Sequence, residues 1–415
     1  MFALIDCNNF FASCERVFDL GLKGEPLIIL SNNDGCVIAR SNEAKKLGIK
    51  MAQPAFEIKN FIDSKVVHVR SSNFSLYTDM SRRVMQTLVE FEYDMEFYSI
   101  DEVFMKIPSG SRSNLEKLAD QIQKKVREWT GLPVSVGIGA TKTLAKLANK
   151  LAKEGSNIKI LCNEYEIDNI LAKTDLSDIW GIGKRCAKRL KKSSIHSPLE
   201  LKQTDDTKIR RILGVMGLKI SLELKGISSF SLDNSPISRK SISFSRSFGK
   251  PTSELSDLEE AVSTFTSKAA EKLRKEKKVT SFISVFVSSG KKSKDQYYNQ
   301  ASAVIPTPLS YTPDLIFYAK KCLKKIYKPG IFYKKTSVML TDFSNQTSTQ
   351  KDLFEKEDNL IKKERLMQLM DKINNQYDKD ALFFMASGID KSWKSIQVNT
   401  SPKYTTSWND LLKVN

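Results

Sequence analysis

Apolar residues in the first 165 positions fall into short runs separated by longer amphipathic stretches, the pattern of a mixed strand-and-helix domain. Phe2-Ala3-Leu4-Ile5 forms one run, ending at Asp6. Pro26-Leu27-Ile28-Ile29-Leu30 forms another, closed by the turn-rich Ser31-Asn32-Asn33-Asp34-Gly35. The stretch 97–104 is aromatic and β-branched around Asp101-Glu102 and reads as strand, as does Pro133-Val134-Ser135-Val136-Gly137-Ile138-Gly139. Helical spacing is expected near 9–17, 77–92 and 114–129. With 18–75 set aside as an insertion, the order is β-α-β-β-α-β, the ferredoxin-like pattern. In that order the first strand neighbours the central hairpin, which brings Asp6 to Asp101 and Glu102.

An acid at the end of a buried strand is costly to desolvate unless a cation or a donor meets it. Three acids at one point suit two divalent ions roughly 4 Å apart, the apparatus of in-line nucleotidyl transfer. Residues 141–153 are predicted as an amphipathic helix capped by Thr141. Leu144, Leu147 and Leu151 form its apolar stripe; Lys142, Lys146, Lys150 and Lys153 recur along another side and are expected to face phosphates. Further on, Trp180-Gly181-Ile182-Gly183-Lys184-Arg185 stands between helical segments. A G-x-G turn there presents backbone amides to a phosphate, the helix–hairpin–helix device.

The remaining chain reads as a separate module and a tail. Residues 240–340 mix alternating strands, such as 280–287, with helices at 257–275 and 313–327, after a serine-rich linker over 228–245. Residues 344–358 are polar and read as an exposed tether, within which Gln350-Lys351-Asp352-Leu353-Phe354 is a candidate peptide anchor for an apolar pocket.

Charge sharpens this picture. The 415 residues carry a net charge of +18, unevenly spread. Residues 1–105 hold 11 basic and 15 acidic side chains, a balance of −4; residues 106–238 hold 24 and 14, a balance of +10. Residues 239–340 hold 20 and 8, a balance of +12, and the rest balances to zero. An acidic front joined to a basic middle suits a metal site beside a polyanion-binding surface. A chain of this length is expected to form two to four domains. It has no apolar run long enough for a membrane helix and is expected in the cytosol, with no membrane partner. The six cysteines are scattered, without a C-x-x-C pair, and are expected to be free thiols. With only His68 and His196, neither a histidine-based triad nor a zinc hydrolase is expected.

These motifs, taken in order, resemble the Y-family of translesion DNA polymerases, and within it the bacterial UmuC branch. The resemblance runs nearly end to end. It is carried by 31–40 (Ser31 to Arg40), by Tyr98-Ser99-Ile100-Asp101-Glu102, by 141–149 and by Trp180-Gly181-Ile182-Gly183. Ser245-Arg246-Ser247-Phe248-Gly249 and Ser401-Pro402-Lys403-Tyr404-Thr405-Thr406 continue it. It implies an α+β multidomain protein. Residues 1–17 and 76–165 would form a ferredoxin-like palm, 18–75 inserted fingers and 166–235 a helix–hairpin–helix thumb. Residues 240–343 would form an α+β little finger, and 344–415 a C-terminal region that binds partners and the clamp.

By the same resemblance Asp6, Asp101 and Glu102 are the catalytic carboxylates. Together with the backbone carbonyl of Cys7 they would bind two Mg²⁺ ions. Phe10 and Phe11 fall at the nucleotide sugar; a ring at Phe11 would leave no room for a 2′-hydroxyl. Lys45 and Lys153 match triphosphate contacts, while Asn42 stands where many members carry a tyrosine. Gly181, Gly183, Lys184 and Arg185 would contact the DNA backbone, and Gln350, Leu353 and Phe354 a sliding clamp. Implied partners are primer–template DNA, a deoxynucleoside triphosphate, a processed UmuD-like dimer and RecA filaments. The implied activity is error-prone bypass synthesis in the SOS damage response. A nucleotide cyclase shares the core and the paired acids but needs neither the hairpin, the basic module nor the clamp peptide. A non-catalytic descendant has no reason to keep Asp6, Asp101, Glu102 and Phe11 together.

Overall fold

The computed structural model describes residues 1–233, 238–290, 296–346, 357–377, 380–391 and 393–411. The chain divides into two compact units, one comprising 1–31, 35–236 and 398–415, the other 32–34 and 237–397.

In the first unit the apolar runs become strands. β1 (Phe2–Cys7) is buried along its whole length and is followed by α1 (Phe10–Phe18). The inserted segment builds β2 (Leu27–Leu30), β3 (Val37–Arg40), α2 (Asn42–Lys46), α3 (Lys59–Asp63) and β4 (His68–Ser71). Then come α4 (Phe74–Val89), β5 (Met95–Phe97), β6 (Glu102–Lys106), α5 (Arg112–Thr130), β7 (Val134–Gly139), α6 (Lys142–Ala152) and β8 (Ile158–Leu161). The main sheet has the order β5-β6-β1-β7-β8, the ferredoxin-like arrangement with β8 added at one edge. The insertion forms its own three-stranded sheet, β3-β2-β4. Helices α7 (Glu164–Lys173), α8 (Lys184–Lys192), α9 (Pro198–Gln203) and α10 (Asp206–Leu224) complete the unit around a separate apolar cluster.

The helix boundaries follow their caps. Ser111 accepts from the Asn114 amide at the start of α5, and Gly131, at φ 74°, closes it in the left-handed conformation. Thr141 accepts from the Leu144 amide and opens α6, as its sequence predicts. The strand expected through 97–104 is broken. Residues 98–101 turn between β5 and β6, because the amides of Tyr98 and Ser99 both donate back to the Glu102 carbonyl (3.1 and 3.2 Å). Asp101 therefore sits in a turn, not in a strand.

Helix α6 lies unusually close to the sheet. A β-carbon on Gly137 would come within 2.1 Å of the Asn149 amide nitrogen, and one on Gly139 within 2.7 Å of the Ala145 amide nitrogen. The Asn149 side chain uses that proximity, donating to the Leu4 carbonyl (3.1 Å) and the Ser135 carbonyl (2.9 Å). The helix is thus keyed to both strands beneath it.

The second unit has the order β9 (Ser241–Thr252), α11 (Leu255–Lys275), β10 (Lys278–Ser288), β11 (Tyr298–Leu309), α12 (Thr312–Ile326), β12 (Tyr333–Asn345) and α13 (Glu357–Gln376). Its antiparallel sheet runs β11-β10-β12-β9, with α11 and α12 packed on the apolar core. The twenty residues of α13 are not expected from the polar sequence around them. A bidentate pair anchors α13, since Arg274 donates to both carboxylate oxygens of Asp371 at 2.7 Å. The mixed α+β, multidomain fold class is as the sequence implies. All six cysteines are free thiols. Among the described residues, no helix is long and apolar enough to cross a membrane.

Because backbone rather than a flexible side chain faces Gly137, Gly137→Ala is expected to cost at least about 3 kcal/mol. Gly155→Ala, with nothing within 4 Å of its new β-carbon, should change stability by under about 0.5 kcal/mol. Thermal unfolding of the two variants checks the contrast; equal melting points would contradict the close approach.

Candidate active site

The strand register sets the acids. In the β1–β6 ladder Asp6 lies directly opposite Glu102, and the Cys7 amide donates to the Asp101 carbonyl (2.9 Å). Directly opposed antiparallel residues have α-carbons about 4.5–5.5 Å apart, so the three acids share one corner of the sheet.

Their side chains, however, are engaged separately. Lys153 donates from Nζ to Asp6 Oδ2 at 2.7 Å, and Lys146 to both Glu102 oxygens at 3.1 and 3.2 Å. Ser99 Oγ donates to Asp101 Oδ1 at 2.6 Å. Among the described residues no three ligating side chains stand already gathered around one point. Burial pushes the Asp6 carboxyl up to about 6; Lys153 opposes the rise, and the charges of Glu102 and Asp101 add to it. The other two acids are therefore within electrostatic reach of Asp6. Three mutually repelling carboxylates suit a hard divalent cation, which would take over the work of the two lysines. Burial raises the Cys7 thiol well above its ordinary value and keeps it protonated, so the only donor it offers a hard cation is its carbonyl.

The lysine row of α6 differs from expectation. All four lysines pair with carboxylates of their own unit: Lys142 with Glu96, Lys146 with Glu102, Lys150 with Asp178 (2.6 Å) and Lys153 with Asp6. Lys142 is inside the protein, its side chain only 3% exposed. It also donates to the Ser231 carbonyl (2.7 Å) and stands 5.1 Å from the Phe104 ring centre. A lysine so held cannot reach a phosphate. Two of the four, Lys146 and Lys153, instead hold the candidate catalytic acids. Helical spacing alone does not distinguish a solvated row from one facing acids on neighbouring strands.

Across from Lys153, in the inserted segment, Lys45 stands in α2 and donates to Asn42 Oδ1 (3.2 Å), which also accepts from Asn9 (3.0 Å). Burial, followed by the charges of Arg40 and Lys153, lowers the Lys45 pKa, while Asp6 raises it. Lys45 and Lys153 are thus close enough to act on one another and on Asp6. Asn42 thus links Lys45 to Asn9, the residue that precedes α1.

Of the two adjacent rings, Phe10 is 4% exposed and belongs to the core, so its expected contact with substrate is not available. Phe11 is half-buried and stacks on Tyr77, ring centres 4.4 Å apart at 15°. Phe74 stands edge-on to it at 5.9 Å.

The hairpin lies between α7 and α8. Gly181 adopts φ 86°, and Gly183 caps α8 with open space around it and no side chain covering the first amides. Lys184 and Arg185 are exposed beside it. Trp180, in front of the turn, donates to the Tyr98 hydroxyl (3.2 Å) and packs against Phe104 and Phe230. Lys146 lies 4.7 Å from the Tyr98 ring centre, so the aromatic cluster flanks the lysine that holds Glu102. Glu96 and Asp178, the partners of Lys142 and Lys150, and the buried Glu15 carry no signal of their role in the sequence. Gln350, Leu353 and Phe354 lie outside the described residues.

The chain is similar to known proteins along most of its length. Residues 5–150 match the impB/mucB/samB family, residues 239–353 its C-terminal domain, and residues 364–414 a domain of unknown function. Protein UmuC of Salmonella typhimurium is 39% identical over the full length of both chains, and Protein MucB of Escherichia coli is 36% identical over 99% of each. DNA polymerase IV 1 of Bacillus subtilis is 28% identical over 90% of this chain and 89% of its own. Among solved structures, a chimeric Y-family DNA polymerase matches with a TM-score of 0.66 at 21% identity, covering 83% of this chain and all of its own. That likeness shows the fold.

The two kinds of lysine in α6 make a measurable difference. Glu96→Ala leaves the Lys142 charge enclosed and is expected to cost about 3 kcal/mol. Lys150→Ala, breaking a pair with both partners more than 40% exposed, should cost under about 1 kcal/mol. Denaturant unfolding of both variants decides; equal losses would contradict the burial of Lys142.

Proposed function

Because the chain belongs to the impB/mucB/samB family as a UmuC-type Y-family DNA polymerase, we propose that its acidic corner carries out template-directed transfer of deoxynucleotides to a primer 3′ end. The supporting observation is the register that sets Asp6 opposite Glu102 with Asp101 one residue away. In this reading residues 1–17 and 76–165 act as palm, 18–75 as fingers, 166–235 as thumb and 240–343 as little finger.

Polymerases of this family use divalent metal. Asp6, Asp101, Glu102 and the Cys7 carbonyl would hold two Mg²⁺, which supply activation of the primer hydroxyl and neutralise charge on the triphosphate. The protein's own groups do the rest. Lys153 favours the ionised form of Asp6, whose burial otherwise favours the proton. Lys45 and Lys153 would meet the triphosphate, and the Phe11 ring would lie under the sugar, where a 2′-hydroxyl has no space. The open amides of α8 at Gly183, with Lys184, Arg185 and the turn at Gly181, would take the DNA backbone.

The UmuC-type kinship supports error-prone lesion bypass in the SOS response, in the cytosol and at the nucleoid. It also supports a processed UmuD-like dimer and RecA as partners, and a sliding clamp that binds Gln350, Leu353 and Phe354.

Asp101→Ala is expected to abolish Mg²⁺-dependent primer extension, a loss of at least about 1,000-fold, while DNA affinity by anisotropy stays within twofold of the parent on the order of experimental scatter. Extension at the parental rate would refute the assignment of the acids. Replacing Leu353 and Phe354 by alanine should remove stimulation by the clamp and leave clamp-free extension intact. Equal loss of both would make the segment structural.

A further inference from the structure

The last described residues return to the first unit and reach the ring proposed to read the sugar. The backbone of 399–400 runs alongside β4: the Ser71 amide donates to the Asn399 carbonyl (2.9 Å), the Asn399 amide donates to Ser71 Oγ (3.0 Å), and Ser71 bridges Thr400 in parallel. Tyr404 stacks on Phe18 of α1, ring centres 4.9 Å apart and nearly parallel at 7°. Between these two attachments Ser401 and Pro402 meet the N-terminus of α4. Asn73, which caps that helix by accepting from the Leu76 amide, donates its side-chain nitrogen to Ser401 Oγ (3.0 Å) and to the carbonyls of Ser401 and Pro402 (3.2 and 3.1 Å).

From Ser401 a directed relay leads inward. Ser401 Oγ donates to Glu15 Oε1 (3.1 Å), which also accepts from the Tyr77 hydroxyl (2.7 Å). Tyr77 then stacks on Phe11. Glu15 is 1% exposed, an acid inside the α1–α4 contact. Burial raises its pKa, against which the hydrogen bonds from Tyr77 and Ser401 act, so the two donors stabilise its charged form. Burial and the Glu15 charge raise the Tyr77 pKa, and its hydroxyl remains a donor. Nothing in the palm chemistry uses this acid. Its two donors come from the helix carrying the Phe11 stack and from the end of the chain.

We propose that residues 399–404 are a specificity-determining brace, in which Ser401, acting through Glu15 and Tyr77, fixes the Phe11 ring against the sugar of the incoming nucleotide. This rests on the reading of Phe11 as the ring beneath the sugar. Ser401, Glu15 and Tyr77 are positioning residues: none touches the substrate, and each acts through the next. A ring held on one face by a stacked neighbour that is itself tethered cannot yield to a 2′-hydroxyl. A ring with an untethered neighbour can.

The test measures kcat/KM for ribonucleotide and deoxynucleotide insertion by the full chain, in Ser401→Ala, Ser401→Thr, Tyr77→Phe and Phe11→Ala. Ser401→Ala and Tyr77→Phe each remove one bond to Glu15 and are expected to raise the ribonucleotide-to-deoxynucleotide ratio about fivefold, the scale of a single hydrogen bond. Ser401→Thr keeps the hydroxyl and should return the ratio to the parental value, which general loosening of the fold would not do. Phe11→Ala serves as the reference and should raise the ratio further. If Phe11→Ala raises it while Ser401→Ala and Tyr77→Phe leave it at the parental value, the brace is overturned and the reading of Phe11 stands. If Phe11→Ala leaves it unchanged, that reading falls and the brace falls with it. Melting temperatures of the variants separate a selectivity change from unfolding.

Discussion

The antiparallel register of β1 on β6 is the constraint on which the rest of the site depends. It fixes Asp6 opposite Glu102, and the amide of Cys7 on the carbonyl of Asp101. A slip of one residue would turn Asp6 to the other face of the sheet and separate it from Glu102. The register is secured on both sides of β1. Asp6 pairs with Ser135 of β7 as well as with Glu102, and Asn149 bonds the main chain of both β1 and β7. The expensive part of the arrangement is electrostatic, since a buried acid is surrounded by two more. Lys153 and Lys146 offset that cost, which accounts for lysines that pair with acids where a row facing phosphates is expected.

Helix α6 therefore has two functions at once. Its inner surface is keyed into the sheet at Gly137 and Gly139, where no side chain fits. Its lysines divide among four carboxylates, two of which belong to the candidate catalytic set. The close packing makes the ion pairs precise: a helix standing farther off would leave Lys146 and Lys153 short of Glu102 and Asp6.

Much of this was legible from the residues alone, because the short apolar runs with β-branched content could form little but strands, and their order admitted one familiar sheet. The meeting of Asp6 with the acidic pair followed from topology. What the residues alone do not show is pairwise and distant in sequence. Lys142 and Glu96 are 46 residues apart, and no periodicity links them. The break at 98–101 has no sequence signal because the turn is closed by backbone amides, which every residue but proline carries, rather than marked by glycine or proline. Helix α13 is not legible because its sequence is polar on most sides and it is held by contacts distant in sequence, Arg274–Asp371 and Lys363–Asp314 among them. That Phe10 faces the core while Phe11 does not was legible only as a rule that neighbours on a helix cannot share a face.

The contact between the two ends of the sequence has a consequence for how the molecule comes into being. Asn73 and Ser401 are separated by 328 residues, and Glu15 and Ser401 by 386. Ribosomes release the N-terminal sheet first, and at ordinary elongation speeds it waits on the order of tens of seconds before residue 401 emerges. During translation every copy thus passes through a stage in which Glu15 and the cap of α4 lack their last hydrogen bonds. A message that stops early would leave its product permanently at that stage, with an assembled sheet whose final fastening never arrives.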